Sequence, residues 1–178
     1  PGNASYQCAS LVPLPPTVTA TDNCGVPTVT YNQVTLPGSC VNNFVLNRTW
    51  TATDNCGNSS SAMQVITVND NTSPVISCPA NVTIDCQAST LPANTGTATA
   101  TDNCSAVGNI AITYTDVNAV VNGCGTITRT WTATDECSNT ATCVQVITVT
   151  DNTPLVLVGV PGNASYQCAS LVPLPPTV

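Results

Sequence analysis

This sequence predicts an all-β fold of small, disulfide-stapled modules in tandem, on three observations. Thr and Val are abundant while charged residues make up only 6% of the 178, and branched β-carbons pack well on a pleated surface. Eleven cysteines are spread along the chain with no Cys-x-x-Cys pair, the pattern of structural disulfides in an oxidising compartment rather than of a zinc cluster. The sequence also repeats itself: PGNASYQCASLVPLPPTV at 1–18 recurs unchanged at 161–178.

The repeat sets the organisation. One period is 160 residues long, followed by an 18-residue overlap into a second copy, so the chain is expected to be a window on a longer array. Within the period lies a looser repeat. Residues 47–72 match 128–153 at an offset of 81, and TATDNCG at 19–25 matches TATDNCS at 99–105. Two related modules therefore alternate. Module A spans 1–70 and lacks its first strand, which the equivalent of 151–160 would supply. Module B spans 71–150, and 151–178 begins the next A. One period contains ten cysteines, and Cys168 copies Cys8.

Period-2 alternation marks the strands. Arg129, Trp131 and Ala133 share one face, with Thr residues on the other. Val144–Val149, Ile110–Tyr114, Thr97–Thr101, Val82–Ile84 and Pro74–Cys78 read as further strands, separated by Asp, Asn, Gly and Pro clusters. Helical periodicity is absent. Several short strands in about 80 residues suggest an immunoglobulin-like β-sandwich. Trp50 and Trp131 are expected in the core. Arg48 and Arg129, two residues earlier on the same face, are expected near a sheet edge with an acidic or carbonyl partner. Modules this small are marginal without staples, and a disulfide adds about 2–4 kcal/mol.

Subtracting one module from the other constrains the cysteines. Module B has Cys78, Cys86, Cys104, Cys124, Cys137 and Cys143, whereas module A has Cys8, Cys24, Cys40 and Cys56. The two extra in B, opposite Val160 and Ala62 in A, are expected to pair as Cys78–Cys143, because the first and last strands of a sandwich run side by side. Cys104 and Cys137 each follow a TATD segment and belong at one pole, with Cys86 and Cys124 towards the other. That favours Cys104–Cys137, Cys86–Cys124, Cys24–Cys56 and Cys8–Cys40, with the sequential pairs Cys104–Cys124 and Cys24–Cys40 as the rival.

The same frame gathers acids at the junctions. Asp102, Asp135 and Glu136 fall at the N-terminal pole of B, where Asp70 and Asn71 arrive from A. Asp151 and Asn152 would meet the following copies of Asp22 and Asp54. Converging carboxylates with no Lys nearby suit Ca²⁺, which takes 6–8 oxygen ligands in loose geometry. The competing reading is that these residues cap their own turns.

DNTSPVISCPANVTI (70–84), TATDNCS (99–105), TATDECSN (132–139) and CVQVITVTDNT (143–153) resemble hyalin-repeat (HYR-like) modules of large secreted and surface proteins. Module A resembles them over TATDNCG, TWTATDNCGN and QVITVNDNT but lacks the Ser-Cys-Pro cysteine. The resemblance implies an immunoglobulin-like fold with adhesive or scaffolding duty and no catalytic centre. The Asp-Asn-Thr-x-Pro junction is similar to the calcium-binding linkers of cadherins.

Nine Asp and Glu against two Arg give a net charge of -7, with no Lys and no His. That argues against nucleic-acid binding, which needs a positive surface, and against docking on anionic membranes. Absent His removes the commonest acid–base catalyst, and no phosphate loop or hydrolase motif appears; no enzyme is expected. No apolar run approaches the ~20 residues of a membrane span. Asn-x-Ser/Thr occurs seven times. Asn103 lies beside Cys104 and Asn71 has its junction role, which leaves Asn3, Asn47, Asn58, Asn81 and Asn163 as acceptors for a glycoprotein. The expected function is a repeat unit of a long extracellular or cell-surface filament, stalk or adhesin. Its partners would be neighbouring copies, with self-association into a fibre, and surface glycans. A carbohydrate-binding or accessory module of a secreted enzyme is the alternative.

Overall fold

The computed structural model describes residues 1–159 and, beyond them, only 162, 163, 165, 167, 168, 172 and 173. Val160 and most of the overlap therefore lie outside the described residues. The N-terminal half carries β1 (Ala4–Tyr6), β2 (Thr28–Pro37), β3 (Asn43–Thr53) and β4 (Ser59–Asn69), in the sheet order β1-β4-β3-β2. The C-terminal half carries β5 (Val75–Ser77), β6 (Val82–Asp85), β7 (Thr99–Thr101), β8 (Ala111–Asn118), β9 (Gly125–Thr134) and β10 (Thr140–Thr150). Its main sheet runs β6-β10-β9-β8, and β5 pairs with β7 in a second, two-stranded sheet.

The two main sheets share one plan. In each, a short first strand lies parallel to the last, β1 on β4 and β6 on β10, while the remaining pairs are antiparallel. Among the described residues the helical content is the single turn α1 (Pro92–Thr95) and two 3-10 turns. The protein is all-β and of immunoglobulin type, as the alternation predicts.

Each core sits where the alternation puts it. Along β9, Ile127, Arg129, Trp131 and Ala133 are buried while the intervening Thr residues face outward. Trp131 is 2% exposed and Trp50 4%. Tyr114 tilts against Trp131 with ring centroids 5.1 Å apart, and Tyr31 does the same to Trp50 at 5.3 Å.

The expected edge position of the two arginines is corrected. β3 and β9 are inner strands, flanked on both sides, so Arg48 and Arg129 lie mid-sheet and buried. Their partners explain why a charge is tolerated there. Asp116 stands directly across the β8–β9 pair from Arg129 and receives Nε and Nη2 at 2.8 Å each. Thr95 Oγ1 and the Thr90 carbonyl accept from the other guanidinium hydrogens. In the N-terminal half Gln33 replaces that acid, and Arg48 donates to Gln33 Oε1 and the Pro13 carbonyl.

The halves differ on the second face. In the C-terminal half β5 and β7 cover the sheet, and Ala98 and Ala100 are buried. The corresponding N-terminal residues Val18 and Ala20 are only half-buried, and a cavity of about 400 Å³ opens beside Trp50 and Ala62.

At the head of β9 the backbone of Gly125 has φ +147, and a Cβ there would meet the Ala119 carbonyl oxygen at 2.4 Å. Both obstacles are backbone constraints that no rotamer change relieves. Gly125→Ala is expected to destabilise the protein by about 1–3 kcal/mol, read as a lowered melting temperature in calorimetry.

Candidate functional site

Three chain segments meet where the halves join. Asp70 directly follows β4, the strand β7 leads into the loop of Asp102, and the β9–β10 turn carries Asp135. Each aspartate first caps its own turn. Asp102 Oδ1 accepts from the amides of Cys104 and Ser105 at 2.9 and 2.7 Å. Asp135 Oδ1 accepts from Cys137 and Asn139, both at 2.8 Å, and its Oδ2 takes the Asn139 side chain. Asp70 Oδ1 accepts from the Thr72 amide at 3.2 Å.

Capping does not use up the carboxylates. Asp70 Oδ2 and Asp102 Oδ2 are buried and have no hydrogen-bond partner among the described residues. Oxygens of these two residues and the Cys104 sulfur lie within 4.8 Å of one another. That sulfur is bonded to Cys8, so the oxygens are the donors that matter to a hard cation. Asp70 is 5% exposed. Its burial pushes the carboxyl above the ordinary 3.8, partly offset by the Thr72 amide, and the charges of Asp102 and Asp135 push the same way as burial.

The other expected ligands are placed differently. Asn71 is tied to Gln7, its Oδ1 accepting from Gln7 Nε2 at 2.7 Å and its amide donating to Gln7 Oε1. Glu136 is exposed and accepts from Asn109 within its own half. Asp22, Asp54, Asp151 and Asn152 lie away from this junction. Asp22 caps Cys24, Asp54 caps Cys56 and Asn58, and Asp151 caps Thr153, while Asn152 donates to Thr150 Oγ1. The Asn58 side chain is the leading influence holding the Asp54 carboxyl below its ordinary value.

Two disulfides cross the junction: Cys8–Cys104 and Cys40–Cys137. Cys78–Cys143 lies within the C-terminal half. The pairings Cys8–Cys40 and Cys104–Cys137 are thus corrected, and Cys24–Cys56 and Cys86–Cys124 are not formed among the described residues. Cysteines at one pole sit side by side, and each reaches the facing pole of the neighbouring half rather than its own neighbour. The rival Cys104–Cys124 and Cys24–Cys40 fail for the same reason. Cys24, Cys56, Cys86, Cys124 and Cys168 are unpaired among the described residues. The signal that could have found the crossing pairs was already in the pole assignment, once the end of one module is laid against the start of the next.

Of the glycan acceptors, Asn3, Asn58, Asn81 and Asn163 are exposed and Asn47 is half-buried in β3. Asn3 and Asn81 play the same part in the two halves, their Oδ1 accepting from Val65 and Val146 at 2.8 Å. The Asn58 amide nitrogen is spent on Asp54.

Residues 1–68 match the family described as an HYR-like domain with 4 cysteines; the four in that stretch are Cys8, Cys24, Cys40 and Cys56. No curated protein matches the chain. Among solved structures, Drosophila N-cadherin EC1-4 aligns at 11% identity and a TM-score of 0.34, over 83% of this chain and 47% of that one. Protocadherin Gamma C5 EC1-3 aligns at 14% and 0.30, over 84% of this chain and 66% of that one. The chain thus spans about half the length of the first and just under two thirds of the second. Overall likeness at that level leaves the fold to be read from the chain's own sheets.

Proposed function

We propose that this chain, with its HYR-like N-terminal stretch, is a length of an extracellular adhesion-type array in which modules A and B alternate and every joint is made rigid. The array serves as a filament or stalk that gains reach from stacked units. The observation that carries this reading is the pair of disulfides crossing the junction. A single bridge would leave a hinge, whereas two, from Cys8 and Cys40 on one side to Cys104 and Cys137 on the other, resist bending about either. Such bonds persist in oxidising, extracellular surroundings.

Calcium fits the same joint. Asp70 and Asp102 would hold it through their partnerless Oδ2 atoms, with carbonyls and water completing the shell, and Asp135 adding charge beside them. Bound calcium would supply the positive charge that these two shielded oxygens lack. Neither Trp offers a carbohydrate platform, since both are buried.

Calcium titration tests this. Extracellular calcium modules bind at about 10⁻⁴–10⁻³ M, so roughly 10 mM calcium should stabilise the protein by about 1–3 kcal/mol. A heat of binding and a melting shift of several degrees are expected. Neither, at that concentration, would refute the calcium role. Asp70→Asn should abolish the shift and yet raise the melting temperature in chelator. The sign follows from the raised carboxyl. Its charged form is the disfavoured one in the folded protein, so the penalty grows as pH rises through the shifted value. The difference between variant and parent is therefore expected to be largest at pH 7 and to vanish below the ordinary 3.8. Electron micrographs of the natural protein should show rods, and compact particles would overturn the array.

A further inference from the structure

The four cysteines left unpaired in the two halves are not scattered. Cys24 and Cys56 occupy the places in the N-terminal half that Cys104 and Cys137 occupy in the C-terminal half, each following a TATD segment. Cys86 follows β6 as Cys8 follows β1, in strands paired alike to the last strand of their sheets. Cys124 sits in the β8–β9 turn as Cys40 sits in the β2–β3 turn, although two residues nearer the following strand. The bonded set Cys8, Cys40, Cys104 and Cys137 makes one complete joint. The unbonded set is therefore the two halves of another, held at opposite ends of the molecule.

We propose that the C-terminal end of this chain's second half docks on the N-terminal end of a following copy of the repeat, with Cys86 bonded to that copy's Cys24 and Cys124 to its Cys56. This rests on the array reading and goes further, because it makes every joint covalent. The sequence itself supplies the start of that copy, since 161–178 after the second half repeats 1–18 and Cys168 repeats Cys8.

Two further observations point to the same occupant. The first is the half-made acidic joint. Asp151 caps Thr153 at 2.9 Å as Asp70 caps Thr72, and Asp22 and Asp54 cap their turns as Asp102 and Asp135 do. Asp151 also lies close enough to Cys86 for its charge to add to burial in raising that thiol.

The second is an apolar run without a groove and a groove without a strand. Leu155, Val156, Leu157 and Val158 are 82–98% exposed. Their counterpart β5 lies on β7 and covers Ala100 and Ala133. In the N-terminal half the corresponding slot, beside Val18, Ala20, Trp50 and Ala52, is open. Docking the following copy would bring that apolar run into that slot, removing both from water.

Bond formation is ordinary thiol–disulfide exchange. A thiolate of each pair attacks an oxidant disulfide, and the partner thiolate then displaces the oxidant's sulfur. Two protons leave the cysteines, two electrons pass to the oxidant, and it departs as two thiols.

Peptide mapping of the natural protein decides the matter. It is alkylated without reduction and cut with pepsin at acidic pH, where disulfides do not exchange. Peptides joining Cys86 to Cys24 and Cys124 to Cys56 are expected beside those joining Cys8 to Cys104 and Cys40 to Cys137. Alkylated Cys24, Cys56, Cys86 and Cys124, or Cys86–Cys124 and Cys24–Cys56 pairs, would overturn the proposal. Micrographs of the same sample keep the two readings apart: rods with alkylated thiols sink only the covalent joint, and compact particles sink the array as well.

Discussion

Arg129→Ala is expected to lower the stability of the protein by about 3 kcal/mol and its melting temperature by about 6–12 °C. The guanidinium is 1% exposed and makes four hydrogen bonds, to both oxygens of Asp116, to Thr95 and to the Thr90 carbonyl. Removing it takes the guanidinium from Thr95 Oγ1 and the Thr90 carbonyl, which keep only their bonds to α1 and its lead-in, and opens a gap against the Tyr114 and Trp131 rings over which it packs. Asp116 is 30% exposed, so its carboxylate recovers water, which keeps the loss at the low end of the range for a broken buried pair. Asp116→Asn should therefore cost less than Arg129→Ala. Arg48→Ala should also cost less than Arg129→Ala, because Arg48 Nη1 already lacks a partner and Gln33 carries no charge to be orphaned. Equal losses at Arg48 and Arg129, by denaturant unfolding, would show that the ion pair contributes nothing beyond packing.

Cys104→Ser with Cys137→Ser is expected to convert one cooperative melting transition into two. Each bridge closes a loop, with sequence separations of 96 and 97, and chain-entropy reasoning assigns about 4.7 kcal/mol to a loop of that length. With the first bridge in place the second closes a shorter ring, through residues 8–40 and 104–137, and because loop-closure entropy grows only slowly with length it contributes nearly as much as the first. Either bridge alone still ties the halves, so each single variant should keep one transition at a lower melting temperature and the double variant should lose the coupling. Calorimetry and small-angle scattering read the result: an unchanged single transition and an unchanged maximum dimension in the double variant would show that the halves are held by something else.

Much of this architecture was legible in the alternation. Thr-Trp-Thr-Ala-Thr at 130–134 declares an inner face, and Trp131 and Ala133 occupy it. The arginine that shares their face was harder to place, because a charge reads as an edge residue until its cross-strand partner is known. Asp116 lies 13 residues away, and only the β8–β9 register sets it opposite Arg129. The acids at the joint were legible as a cluster. Which of them keep a bare oxygen was not, since Asn71 and Glu136 found partners that no spacing announces.

Composition and repetition alone determined that the chain would be β-structured, cross-linked by sulfur and periodic, because branched residues, spaced cysteines and an 18-residue identity are properties of the string itself. Which cysteine meets which was decided by tertiary structure. A disulfide requires α-carbons roughly 4.4–6.8 Å apart, and residues separated by 96 positions reach 5.0 Å only because the end of one sheet abuts the loops of the next.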